Sequence, residues 1–124
     1  MKRDLISIIV PCYNEQEVLP LFYKEATHWA DQLDADVEFV FIDDGSKDST
    51  ILILRELAQK DSRVFYYSFS RNFGKEAGIY AGLANAKGDY CVIMDADLQD
   101  PPEVALQMIE AAEKQKRFKR NHPV

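Results

Sequence analysis

The chain has 124 residues, 47% of them hydrophobic and 29% charged, with a formal net charge of −6. That length suffices for one domain with its own core, and the acidic balance excludes nonspecific binding to nucleic acid. An acidic protein still takes phosphates where a metal ion supplies the positive charge.

In chain order, "LISIIVPC" (5–12) is an almost unbroken apolar run, the mark of a strand buried on both faces. Leu19, Phe22, Tyr23, Ala26, Ala30 and Leu33 then recur at helical spacing. Pro20 is favoured only in a first turn, so this helix starts near Val18. "VEFVFID" (37–43) is a second strand, and "DDGSKDST" is a turn with Asp48 as the N-cap of a helix running to about Gln59. "VFYYSFS" (64–70) is a third strand. "RNFGKEAGIYAGLANAKG" reads as a glycine-bearing loop and a helix whose small residues let it lie close on a sheet. "DYCVIMDAD" (89–97) is a fourth strand, and a last helix starts near Pro101. Alternating strands and helices predict an α/β fold with a parallel sheet. Right-handed crossovers favour the strand order 3-2-1-4, with a switch point between the first and fourth strands.

Two cysteines, Cys12 and Cys91, fit neither a disulfide framework nor a zinc site and read as buried reduced thiols. Their strands are neighbours, but an offset of about 13 Å along the sheet keeps them unlinked. Reduced thiols, no signal peptide and no apolar run of ~18 residues predict a cytoplasmic protein. The end of the chain, residues 113–124, carries Lys114, Lys116, Arg117, Lys119 and Arg120. It reads either as a solvated helix terminus or as a patch for anionic lipid.

Ligands of a doubly wound sheet bind beyond the carboxyl ends of its strands, at the switch point. Three motifs arrive there: Pro11 to Glu15, Asp43 to Ser46, and Asp95 to Gln99. Asp95 and Asp97 place two hard oxygen ligands on one side of a loop, and Gln99 adds a carbonyl oxygen. This set suits Mg2+ or Mn2+, which take one or two carboxylates together with phosphate oxygens and water. Each motif also has a plain account, as a turn or as a helix start with Asp100 capping Pro101-Pro102. Their convergence is what favours a site. Arg71, Asn72, Gly74 and Lys75 form a polar loop at a helix N-terminus, suited to a phosphate or a sugar hydroxyl. His28 and His122 have no partner at metal-ligand spacing, and no arrangement suggests a covalent nucleophile.

The motifs "SIIVPCYNE", "FIDDGSKDST", "SRNFGKEAGIYAGL" and "GDYCVIMDADLQDPPE" resemble the inverting family-two glycosyltransferases of the GT-A fold. The likeness is greatest to the branch that transfers sugar from a nucleotide sugar to a polyprenyl phosphate, the bactoprenol glucosyltransferase and dolichol-phosphate mannose synthase type. It covers residues 5 to about 112. It implies a donor-binding half-domain over residues 1–112 with a Rossmann-like, nucleotide-binding parallel sheet, followed by the basic tail of residues 113–124. Pro11, Tyr13 and Glu15 would line the nucleoside pocket, and Ile42 and Asp44 would contact the base. Asp95, Ala96 and Asp97 would hold ribose, Mn2+ or Mg2+ and diphosphate, with Gln99 near the metal. The implied donor is a UDP or GDP sugar, the acceptor a polyprenyl phosphate at the inner face of the cytoplasmic membrane.

Family members usually continue well past the Asp-x-Asp loop with the half that carries the acceptor site. The sequence therefore reads as a truncated, donor-binding part, inactive alone; the alternative is a non-catalytic nucleotide-binding or assembly module. A receiver-type phosphoacceptor domain is disfavoured, since the acidic pair follows the second strand rather than the first. The fourth strand, "YCVIM", is expected to leave a bare edge that recruits a second copy of the chain.

Overall fold

In the computed structural model the described residues are 3–97, 107, 109–111, 114 and 115. Four strands, β1 (Leu5–Cys12), β2 (Asp36–Asp43), β3 (Val64–Ser68) and β4 (Tyr90–Ile93), alternate with three helices, α1 (Leu19–Ala30), α2 (Thr50–Lys60) and α3 (Lys75–Asn85). All pairings are parallel and the sheet order is β3-β2-β1-β4, as expected from the alternation. The predicted start of a last helix near Pro101 lies outside the described residues. The described residues beyond 106 are helical, Ile109 is buried in the main core, and Lys114 pairs with Glu110 one turn earlier at 3.3 Å.

The period of two along each strand splits the core between the faces of the sheet. Ile6, Ile8, Val10 and Cys12 of β1 and Val37, Phe39 and Phe41 of β2 meet Phe22 and Ala26 of α1, Leu54 of α2 and Ile109. Ile9, Val40 and Ile42 face the other way, against Phe69 and against Ala81 of α3. The small residues of α3 are there for closeness: Gly78 and Gly82 are its buried positions. A Cβ on Gly82 would stand 2.4 Å from Cγ2 of Ile9.

β4 is shorter than the sequence suggests, and Pro11 explains where it ends. Odd-numbered residues of β1 bond towards β4, as the Met94 N–H to Ile9 carbonyl bond of 2.9 Å shows. The next donor on that side would be Pro11, which has no N–H. The ladder ends there, and residues 96 and 97 form a turn. Similarly, Ser49 rather than Asp48 occupies the N-cap position of α2. Asp48 nonetheless caps from one residue upstream, accepting the Thr50 N–H at 2.9 Å and the Thr50 hydroxyl at 2.5 Å.

One reading of the cysteines needs correcting. Both are free thiols, but only Cys12 is buried. Cys91 pairs with Ser7 in a strand at the end of the sheet order, on the face where α3 covers β1 and β2, and it is exposed.

Far from the carboxyl edge, two polar networks tie the other end of the sheet. The buried Glu38 accepts the Ser7 hydroxyl at 2.5 Å and the Lys87 N–H at 2.7 Å, while the Gly88 N–H donates to Ser7 Oγ at 2.8 Å. Arg63 bridges Asp31 at 2.8 Å and Asp61 at 3.0 Å, and the Tyr23 hydroxyl donates to Asp61 at 2.6 Å. Among the described residues, no helix is long and apolar enough to cross a membrane.

Candidate nucleotide and cation site

Two loops are laced together over the ends of β1 and β2. Asn14 takes a left-handed backbone, φ 52°, which Asn tolerates better than most residues. Its N–H donates to Ser46 Oγ and its Oδ1 accepts the Lys47 N–H, both at 2.8 Å. The Glu15 N–H donates to Thr50 Oγ1 at 2.9 Å, and Gln16 Oε1 accepts the Ser49 N–H at 2.9 Å. Burial works against the Asp48 charge, yet bonds from the Thr50 hydroxyl and N–H and from the Gln16 N–H hold its carboxyl below the usual range. The lacing fixes where Tyr13 and Glu15 stand.

The third loop is drawn in by Asp44 and Gly45. Gly45 has φ 71°, and a Cβ there would lie 2.3 Å from the Arg71 carbonyl carbon, so only glycine allows the approach. Asp44 is buried, and its two carboxylate oxygens accept the N–H groups of Phe73 at 2.7 Å and Gly74 at 3.0 Å. This anchors the start of α3. Lys75, the first residue of α3, reaches across to β4's extension: its Nζ lies 2.8 Å from Oδ1 of Asp95.

The result is a cavity of about 370 Å³ at the carboxyl ends of β1, β2 and β4. Of the residues singled out in the sequence, Pro11, Tyr13, Glu15, Asp44, Asn72, Gly74, Lys75, Asp95 and Asp97 all line it. Ile42 and Ala96 do not: both are fully buried, Ile42 towards α3 and Ala96 in the main core. Arg71 lines an adjoining cavity of about 460 Å³, which shares Tyr13 and Asn72 with the first. Its guanidinium lies 4.4 Å from the centre of the Phe73 ring, a cation–π contact. Gln99 lies outside the described residues.

The sequence reading missed Cys12 as a lining residue and Thr50 as the group that holds Glu15. The Asp-x-Thr spacing of 48 and 50 at a helix start was the available signal for Thr50. Burial, with the nearby charges of Glu15 and Asp43, pushes the Cys12 thiol well up, so it stays protonated and is no nucleophile.

The charged groups lining the cavity are four carboxylates and one lysine, Glu15, Asp44, Asp95, Asp97 and Lys75. Burial, then the charges of Asp97, Asp95 and Asp48, push the Glu15 carboxyl above its usual range. The hydrogen bond to Asp95 holds the Lys75 ammonium up, against some desolvation, and the charges of Asp95 and Asp97 add to this. Among the described residues no three His, Cys, Asp or Glu side chains form a ready-made metal cage. Hard divalent ions bound to nucleotides ask for less: one or two carboxylates, with phosphates and water completing the shell.

Sheet order and cavity position together define an α/β domain of the GT-A kind, with its cavity at the topological switch point. The sequence profile of "Glycosyl transferase family 2" matches residues 7–118. The chain belongs to that family. It is 49% identical over 105 residues to the "Prophage bactoprenol glucosyl transferase homolog" of Escherichia coli (strain K12), matching 85% of this chain and 34% of that protein. It is 40% identical over 113 residues to the "Undecaprenyl-phosphate 4-deoxy-4-formamido-L-arabinose transferase" of Sodalis glossinidius, matching 90% and 35%. The chain thus spans about a third of the length of these relatives. Among solved structures, S. aureus TarS 1-349 superposes with a TM-score of 0.65 at 26% identity, over 78% of this chain and 28% of that one. The mannosyltransferase PcManGT from Pyrobaculum calidifontis, in complex with GDP-Man and Mn2+, gives a TM-score of 0.70 at 23% identity, over 90% and 33%, and shares the fold.

Proposed function

We propose that this chain is the donor-binding part of a glycosyltransferase, holding a nucleoside-diphosphate sugar of the UDP or GDP type together with a divalent cation, Mn2+ or Mg2+. The observation that carries this is the convergence of Pro11, Tyr13, Glu15, Asp44, Asp95 and Asp97 on one cavity. Tyr13, half exposed at the junction of the two cavities, offers a ring face to a base. The Asp44 carboxylate accepts a base N–H while keeping its bonds to the α3 start, since each oxygen has a second lone pair. Asp95 and Asp97 hold the cation, and the first turn of α3 offers N–H groups to the diphosphate. When bound, the ion supplies Lewis-acid stabilisation of the departing nucleoside diphosphate. Ile42 and Ala96 contribute through packing beneath the site, and Ala96 also through its place between the two aspartates.

The acceptor we propose is a polyprenyl phosphate, whose phosphate oxygen attacks the anomeric carbon and inverts it. The names of the curated relatives support this choice. It would bring the protein to the cytoplasmic face of the membrane. We also propose a second copy of the chain as partner, because among the described residues β4 ends the sheet order and Ile93 is 45% exposed; light scattering across a concentration series tests it, a strict monomer being the contrary result.

For the site itself, amide shift mapping with UDP and Mg2+ is the test. Tyr13, Glu15, Asp44, Gly74 and Asp95 are expected to shift, and Glu38, Asp61 and Lys87 at the opposite edge to stay. Shifts confined to the opposite edge would sink the reading.

A further inference from the structure

The cavity holds a cation of its own. Lys75 Nζ sits 2.8 Å from Asp95 Oδ1, in the position where the proposed reading requires a divalent ion. The pair is solvated, with side chains 59% and 38% exposed. Such ion pairs are weak and exchange readily. The other charged groups lining the same cavity are Glu15, Asp44 and Asp97, all acidic. Without a counter-cation they repel one another.

Lys75 is built to swing. It is the first residue of α3, set by Gly74 at φ 103°, and a lysine is a compact point charge on a flexible stem. A divalent ion carries twice its charge and competes directly for Asp95. Once released, the ammonium remains beside the N-terminal turn of α3, where a diphosphate is favoured.

We propose that Lys75 is the resident counter-cation of this cavity, a positioning residue that holds Asp95 until a divalent ion displaces it, and that then turns to the diphosphate. This rests on the cation-and-diphosphate reading above. It makes an unusual demand: removing one side chain must strengthen the binding of one ligand and weaken that of another. A residue with a merely structural role would weaken both.

The test is Mn2+ binding to the nucleotide-free protein, read as free Mn2+ by electron paramagnetic resonance, and metal-free UDP binding by calorimetry, for wild type and Lys75→Met. Lys75→Met is expected to bind Mn2+ about tenfold more tightly, as loss of a unit charge beside a divalent ion implies. It is expected to bind metal-free UDP about tenfold more weakly. Lys75→Arg, which keeps the charge, should stay near wild type for Mn2+, and Lys75→Gln serves if the methionine variant does not fold. Equal or weaker Mn2+ binding by a folded charge-removed variant overturns the proposal while leaving the cation site standing. Absence of Mn2+ binding by wild type and variant alike overturns the cation site and the proposal with it.

Discussion

Asp44 anchors the start of α3, and in the proposed function its carboxylate also meets the base. Its carboxylate is buried and takes the N–H groups of Phe73 and Gly74, so Asp44→Ala leaves both donors without their acceptor. A loss of about 1–3 kcal/mol in urea unfolding is expected, together with weaker UDP binding in the absence of metal. Unchanged metal-free affinity would remove its proposed base contact. Glu15 behaves the other way. Its carboxyl is raised in the folded chain by burial and by the neighbouring aspartates, so its ionisation opposes folding. That opposition is absent below the ordinary carboxylate range and complete above the raised value. Glu15→Gln should therefore melt at a higher temperature than wild type at pH 7 and at the same temperature near pH 3. An equal melting temperature at both pH values would show that the acidic lining exerts no strain. The placement of these two residues at the cavity was visible in the sequence as acidic motifs at strand ends. The roles proposed for Ile42 and Ala96 through family resemblance did not take them into the cavity, because neighbouring positions point apart. Ile42 faces α3 and Ala96 faces the main core, while the acids beside them face the ligand edge.

At the scale of elements, α3 packs closely on β1, and two glycines one turn apart give a matched test. At Gly82 a Cβ would lie 2.4 Å from Ile9 Cγ2, whereas at Gly78 it would lie 3.5 Å from the Pro11 Cβ, an ordinary contact. Gly82→Ala should destabilise by about 1–3 kcal/mol through overpacking. Gly78→Ala should be near neutral or stabilising by up to about 1 kcal/mol from helix propensity. Denaturant midpoints that move equally would contradict this packing. The Asp61 network joins α1, β3 and the end of α2. Burial raises the Asp61 carboxyl, but bonds from Arg63 and Tyr23 outweigh it and hold it at about 2. The same contact, after burial, pushes the Tyr23 hydroxyl up to about 12. A depressed carboxylate stabilises above its unfolded value near 4 and loses that contribution as pH falls through about 2. Asp61→Asn should thus be less stable than wild type at pH 7, with the gap closing between pH 4 and pH 2 in urea titrations. A gap independent of pH would mean the charge is not what matters. The elements themselves were readable because apolar runs and helical spacing are local signals. The end of β4 was not, because it depends on which side of β1 the missing Pro11 N–H faces. The lacing of Asn14, Glu15 and Gln16 to residues 46–50 was likewise hidden, being a matter of distances between loops far apart in sequence.

Among the described residues, the candidate site and the two polar networks lie at opposite ends of one sheet. The amino edge is closed by Glu38, which takes the Ser7 hydroxyl and the Lys87 N–H, and by the ion pairs of Arg63 with Asp31 and Asp61. The carboxyl edge gathers acids around a cavity and leaves one exposed lysine among them. The strand order was legible from the alternation of elements, since right-handed crossovers and a buried first strand leave few arrangements. The central claim is that this acidic edge binds a nucleoside diphosphate through a divalent ion. Calorimetric titration of UDP with and without Mn2+ tests it most directly. The account predicts binding at least about tenfold tighter with Mn2+, and loss of that gain in Asp97→Ala with the fold intact by circular dichroism. Equal affinity with and without the ion would contradict it.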